Sequence, residues 1–221
     1  MPLPSVDIET APNPTHSVIW LHGLGADGND FASIVPELIS PEWPALRLVF
    51  PHAPTRPVTV YGGMPMRAWY DIAGMDLVSR QDESGIRASI TSVDALIAQE
   101  NQRGVPTGRI LLAGFSQGGA IALAAGLRHA EQIAGVIALS TYLPLHESFA
   151  AERSAANAAT PIFWGHGTAD PIVPLTRGVA SRDLLQSLGY PVAWHTYPMP
   201  HSVCSEEVAD LRQWMTSRLA G

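Results

Sequence analysis

The chain has 221 residues, enough for one sizeable core and too few for two comfortable domains, so a single unit over residues 1–221 is expected. The net charge is −7 and the 13 Lys and Arg residues are scattered, which leaves no basic cluster to neutralise phosphates and argues against nucleic-acid binding. Cys204 is the only cysteine, so an internal disulfide and any multi-thiolate metal site are ruled out, and a reducing, cytoplasmic setting is expected.

Taken in chain order, residues 6–9 read as an edge strand and residues 17–21 as the first central strand, both short apolar runs. The start, Met1 to Asp7, has neither the basic nor the apolar stretch of a secretory signal. A turn, His22-Gly23-Leu24-Gly25, leads to a helical pattern over residues 29–39. Residues 46–50 form the next strand, and residues 51–80 a long loop. Over residues 84–103, Ile86, Ile90, Val93, Leu96 and Ile97 fall on one stripe with helical period, and Gly104 and Pro106 stop it. Strands at 109–113, 135–139, 162–164 and 192–197 then alternate with helices at 118–127, 175–188 and 206–219. A second long loop covers residues 141–160. No apolar run approaches the roughly 18–20 residues of a membrane span, so no integral membrane segment is expected. Strands separated by helices predict an α/β fold: a mostly parallel central sheet of about seven strands, flanked by helices on both faces. Long ordered loops in such a fold usually carry function.

Gly114-Phe115-Ser116-Gln117-Gly118 matches G-x-S-x-G between a predicted strand and a small-residue helix. A strand entering a sharp turn and leaving as a helix exposes the serine Oγ at the top of a sheet, and the flanking glycines remove side chains that would clash. By itself the motif fits a nucleophilic serine and a glycine-softened turn equally well. A serine hydroxyl needs a base, and the base needs an acid to hold its tautomer. In chain order the acid and then the histidine should follow the serine, each in a loop after a later strand. Asp170 follows the strand at 162–164, and His201 follows the strand at 192–197. Three loops at the carboxyl edge of one sheet therefore converge on Ser116, Asp170 and His201.

The first turn has two readings. Gly23-Leu24-Gly25-Ala26-Asp27-Gly28 is literally G-x-G-x-x-G, a dinucleotide fingerprint. The second strand, however, ends at Phe50-Pro51-His52 with no acid for a ribose hydroxyl, and Asp27 would face the pyrophosphate. A His-Gly turn after an early strand instead supplies one N–H of an oxyanion hole, and the residue after the nucleophile supplies the other. The expected donors are the N–H groups of Leu24 and Gln117. Among rival groups, His22 and His166 are expected to bond turn backbone, His129 to cap a helix end or lie on a solvated face, His195 to pair with a neighbour, and Asp71 to accept structural hydrogen bonds.

These stretches together resemble one family, the carboxylesterase and acyl-protein thioesterase group of α/β-hydrolases. The resemblance is carried by Leu21-His22-Gly23-Leu24-Gly25, Pro51-His52-Ala53-Pro54, Met66-Arg67-Ala68-Trp69-Tyr70-Asp71, the serine motif, Gly165-His166-Gly167-Thr168-Ala169-Asp170 and Met199-Pro200-His201. It implies the same triad and the same two oxyanion donors, no cofactor, little or no lid, and in some members a weak homodimer. Ala68-Trp69-Tyr70-Asp71 is more similar to the bacterial carboxylesterase branch than to depalmitoylating members. The expected reaction is two-step acyl transfer on a small-molecule ester of short to medium chain. Acyl-protein thioesterase or lysophospholipase-type activity is the nearer alternative. A non-catalytic scaffold holding a small apolar ligand is the alternative of another class. For the acyl wall the candidates are Leu24, Met64, Met66, Trp69, Tyr142, Leu143, Ile172 and Val173, all near strand exits and several of them also readable as core.

Overall fold

The computed structural model describes residues 3–74 and 81–219. The last residues of the loop expected at 51–80 thus lie outside the described residues. Seven strands form one sheet: β1 (Ser5–Glu9), β2 (His16–Leu21), β3 (Leu46–Pro51), β6 (Ile110–Phe115), β7 (Gly135–Leu139), β8 (Ile162–Gly167) and β9 (Val192–Tyr197). A separate ribbon pairs β4 (Thr55–Val58) with β5 (Met64–Arg67). The sheet order is β1-β3-β2-β6-β7-β8-β9, with only β1 antiparallel to its neighbour. The chain therefore steps outward one way from β2 to β3 and the other way from β6 to β9. In open α/β sheets a crevice forms where the winding reverses, outside the carboxyl ends of the strands. Here that point lies between β2 and β6.

Both faces of the sheet are covered, which is why its central strands read as unbroken apolar runs. Side-chain alternation along β2 divides the core. Val18 and Trp20 pack with Phe31, with Leu38 of α1 (Val35–Leu38) and with Leu211 and Met215 of α6 (Ser205–Leu219). Ile19 and Leu21 pack on the other face with Ile86, Val93 and Ile97 of α2 (Glu83–Gln102) and with α3 (Gln117–Gly126). Every residue of α3 is buried. Its run of Gly and Ala lets the helix backbone lie close against β6 and β7. The remaining helices are α4 (His146–Glu152) and α5 (Leu175–Ser187).

Three local expectations change. The helix read at 29–39 is a 3₁₀ turn, Ala32–Ile34, followed by the single turn of α1. Pro36 has no N–H to bond the Ala32 carbonyl, so a regular helix cannot pass through it. The loop at 51–80 contains the β4–β5 ribbon, whose strands are marked against by Pro57 and Pro65; the two prolines pair with each other in a ribbon open on both edges, where no ladder donor is lost. Its turn runs through Gly62 and Gly63, both at positive φ. The loop at 141–160 contains α4.

At the amino ends of the strands, Glu100 on α2 is 1 % exposed and accepts hydrogen bonds from Ser17 Oγ (2.5 Å), Arg47 (2.9 Å) and Arg103 (2.9 Å). Arg47 and Arg103 reach on to Glu9 and Asp7 of β1, so the network ties α2 to three strands. Removing one partner from such a network strands the rest. Glu100→Ala is expected to cost about 3–5 kcal/mol in urea unfolding; a loss under about 1 kcal/mol would mean that water already screens these charges.

Candidate active site

Ser116 sits between β6 and α3 with φ 54° and ψ −120°, a left-handed backbone that costs about 1–3 kcal/mol for a residue with a Cβ. The surroundings impose it. A Cβ on Gly114 would overlap the carbonyl of Gly118, and one on Gly118 would overlap the carbonyls of Leu21 and His22. Ser116 N–H donates to Leu139 O (2.9 Å), and Thr141 Oγ1 donates to Ser116 O (2.7 Å). The elbow is therefore held from β2 on one side and from the exit of β7 on the other.

Asp170 lies in the loop after β8 with its side chain fully buried. Its Oδ1 accepts the N–H groups of Ile172 (2.8 Å) and Val173 (2.9 Å), and its Oδ2 accepts His201 Nδ1–H at 2.7 Å. That bond puts the proton of a neutral His201 ring on Nδ1 and leaves Nε2 as the basic nitrogen. The two loops are also joined through backbone, with Thr168 N–H on Tyr197 O and Ala169 N–H on Met199 O. Gly167 permits the approach, since a Cβ there would overlap the Met199 and Pro200 carbonyls. His166, fully buried, donates Nε2–H to Val173 O at 2.9 Å, and burial holds its pKa below the usual histidine value. It braces the acid loop, the structural role expected of it. The His201 ring packs on Phe115 with centroids 4.7 Å apart.

Ser116 and His201 line one cavity of about 600 Å³ together with Leu24 and Gln117. Gln117 opens α3, where a helix leaves its first N–H groups without intrahelical partners. His22 holds the turn that carries Leu24: Nε2 accepts Ala53 N–H (3.0 Å), so Nδ1–H donates to Gly23 O (2.7 Å). Burial depresses its pKa, which keeps the ring neutral for this dual role. The Gln117 side chain, 3 % exposed, was not singled out by the sequence. Its Oε1 accepts Trp69 N–H (2.7 Å), and its Nε2 donates to Tyr70 O (2.8 Å). Trp69 Nε1–H in turn reaches His22 O at 2.9 Å.

The remaining wall is apolar, and here the sequence reading needs correction. Of the acyl-wall candidates, Leu24, Tyr142, Ile172 and Val173 line the cavity. Trp69 does not: its ring is fully buried behind the turn after β2, fixed by the bond to His22 O. Leu143 points into the core between α3 and α5, its N–H bonded to Ser181 Oγ. Met64 is 60 % exposed on the ribbon, and Met66 packs beside Gly25; neither reaches the cavity. In their place stand Val60 and Tyr61 from the ribbon turn, Tyr70 and Ile72 from the segment after it, and Phe115. Asp71 fixes that turn by accepting Thr59 N–H (2.7 Å) and Thr59 Oγ1–H (2.5 Å), the structural role expected of it.

A serine on a strained strand-to-helix elbow, at the reversal of a mostly parallel sheet, defines an α/β-hydrolase. The sequence pattern of the phospholipase/carboxylesterase family matches residues 5–218, and the chain belongs to that family. It is a serine hydrolase that cleaves carboxylic esters. The chain is 42% identical over 214 residues to acyl-protein thioesterase 1 of Neurospora crassa, covering 93% of this chain and 87% of that one. To acyl-protein thioesterase 1 of Cryptococcus neoformans it is 38% identical over 238 residues, covering 99% and 100%. The crystal structure of Arabidopsis thaliana SOBER1 superposes with a TM-score of 0.87 at 32% identity, covering 92% of this chain and 99% of that one.

Six residues after His201, Glu207 in the first turn of α6 is fully buried. Neither of its carboxyl oxygens has a hydrogen-bond partner among the described residues, and Oε1 occupies the space a side chain at position 165 would take. Burial pushes its pKa up to about 8 from the ordinary 4.5, with the nearby Cys204 backbone N–H opposing the rise and Asp210 adding to it. The folded protein thus keeps a proton that the unfolded chain releases above pH 4.5, so stability falls as pH rises from 4.5 to 8 and levels off beyond. Glu207→Gln is expected to be more stable than wild type at pH 8, by a few kcal/mol on the order of magnitude, with the advantage gone below pH 4.5. Urea unfolding of both proteins across this range checks it, and a pH-independent difference would contradict it.

Proposed function

We propose that the protein hydrolyses acyl thioesters and oxoesters by two-step acyl transfer, with Ser116 as nucleophile, His201 as base and Asp170 as acid. The observation that carries this reading is the 2.7 Å bond from buried Asp170 to His201, on the rim of the cavity that also holds Ser116. Ser116 Oγ attacks the acyl carbonyl and gives its proton to His201 Nε2. Asp170 stabilises the resulting imidazolium, and the N–H groups of Leu24 and Gln117 hold the oxyanion. His201 then protonates the leaving thiolate or alkoxide. Water repeats the sequence and releases the acid. The acyl chain lies against Val60, Tyr61, Ile72 and Val173.

The sequence favoured oxoesters of short to medium chain. One observation moves the reading toward thioesters. Relatives 38% and 42% identical to this chain carry the name acyl-protein thioesterase, and they match 99% and 93% of it. A non-catalytic scaffold is disfavoured, because a strained elbow, a buried acid and an oriented imidazole are costly features that ligand holding does not use.

Paired substrates with one acyl group, differing only in oxygen or sulfur at the leaving position, test the reading. Both are expected to be cleaved, with kcat/KM for the thioester at least equal to that for the oxoester. Ser116→Ala should lower kcat by about four to six orders of magnitude on each. Retained turnover in that variant, or cleavage of neither substrate by wild type, would overturn the assignment.

A further inference from the structure

We infer that the ring of Tyr142 is the wall that ends the acyl pocket, and that the small cavity behind it is an annex which a longer chain enters once that ring is removed. The inference rests on the acyl-site reading above. Tyr142 lines both the cavity holding Ser116 and His201 and a second cavity of about 80 Å³. The second is bounded by Leu143 and His146 on one side and by Arg177, Ala180, Ser181 and Leu184 of α5 on the other. Among the described residues, Tyr142 alone belongs to both linings.

The ring is held in place from several sides. Its hydroxyl shares a 2.8 Å hydrogen bond with the Tyr70 hydroxyl, and both residues are buried. Burial pushes the Tyr142 pKa up to about 12 and that of Tyr70 well above the usual value, so the contact joins two neutral phenols. Swinging either ring away would strand both hydroxyls in an apolar setting, which opposes the motion. Tyr70 is anchored by Gln117 Nε2 on its carbonyl, and the residue after Tyr142 is anchored by its N–H on Ser181 Oγ. The wall is thereby tied both to the first turn of α3 and to α5. A chain running from Ser116 meets this ring and must stop, or bend toward the mouth between Tyr61 and Ile172, which are 57% and 54% exposed.

The test is a chain-length series of thioesters and oxoesters from acetyl to palmitoyl, with kcat/KM measured for each. Wild type should show a drop beyond one chain length. Tyr142→Ala should move that drop to longer chains, with each methylene newly accommodated worth about fourfold in kcat/KM. Tyr142→Leu, a milder change that keeps an apolar filler, should move it the same way by less. Adding Leu184→Trp to Tyr142→Ala refills the annex and should bring the drop back. Thermal unfolding and labelling of Ser116 by a fluorophosphonate show which variants are folded with a competent site. A folded, labelled Tyr142→Ala whose limit stays at the wild-type length overturns the inference and leaves the hydrolase reading standing. Should Tyr142→Ala not fold, an unchanged limit in Tyr142→Leu overturns it instead. Wild type that cleaves no chain length and takes no label would defeat the underlying reading, and the inference with it.

Discussion

The close approach of α3 to the carboxyl ends of β2 and β6 is the constraint on which the rest of the site depends. Only hydrogen fits at positions 114 and 118, because carbonyls of the facing segments already fill the space a Cβ would need. With the helix that near, the turn has no room to relax, and Ser116 is driven to positive φ. The same approach brings the start of α3 beside the turn after β2, so that Gln117 and Leu24 border one cavity. Strain at the serine is sustained because the surrounding contacts over-determine it: a bond to β7, a bond from Thr141, and a fully buried helix behind.

A second layer turns this geometry into a rigid site. The Gln117 side chain grips the backbone of Trp69 and Tyr70; Trp69 grips His22, and His22 grips Gly23 and Ala53. The turn after β2, the start of α3 and the segment after the ribbon thus form one hydrogen-bonded unit. On the other side, the β8 and β9 loops are joined by the Asp170–His201 bond and by backbone bonds beside it. Preorganised donors of this kind stabilise charge in a transition state without reorganising at the moment of reaction. Glu207 runs against that economy. It is a buried carboxyl whose oxygens lack a hydrogen-bond partner among the described residues, beside the strand that leads to Asp170, and it weakens the fold as pH rises.

The parts legible in the sequence are those where chemistry or sterics demands a residue type. Gly114 and Gly118 mark a tight turn because a Cβ at either position would overlap backbone, and Ser116 stands between them. Asp170 and His201 stand out because each follows a strand in the required order. The structural histidines were readable too, since His22 and His166 end strands where backbone groups need partners. The pocket was far less legible. Trp69 and Leu143 sit in loops, where no periodicity says which way a side chain faces, and both turned inward to the core. The ribbon that supplies Val60 and Tyr61 was hidden by Pro57 and Pro65, which speak against a strand everywhere except on an open edge. Pro36 likewise cut a patterned helix down to one turn. Glu207 falls on the stripe of Leu211 and Met215, four and eight residues on, so its burial follows from helical period, but what its carboxyl meets there does not. The clamp by Gln117 depends on the position of a segment nearly fifty residues away, which only the fold supplies.

The most direct measurement of the central claim is a crystal structure of the protein after reaction with an alkyl fluorophosphonate. The account predicts phosphorus bonded to Ser116 Oγ, a phosphonyl oxygen within hydrogen-bond distance of the Leu24 and Gln117 N–H groups, and His201 Nε2 facing the serine oxygen. The alkyl chain should run along Val60 and Ile72 toward the ring of Tyr142. An adduct on another residue, or a phosphonyl oxygen turned to solvent away from those two N–H groups, would contradict it.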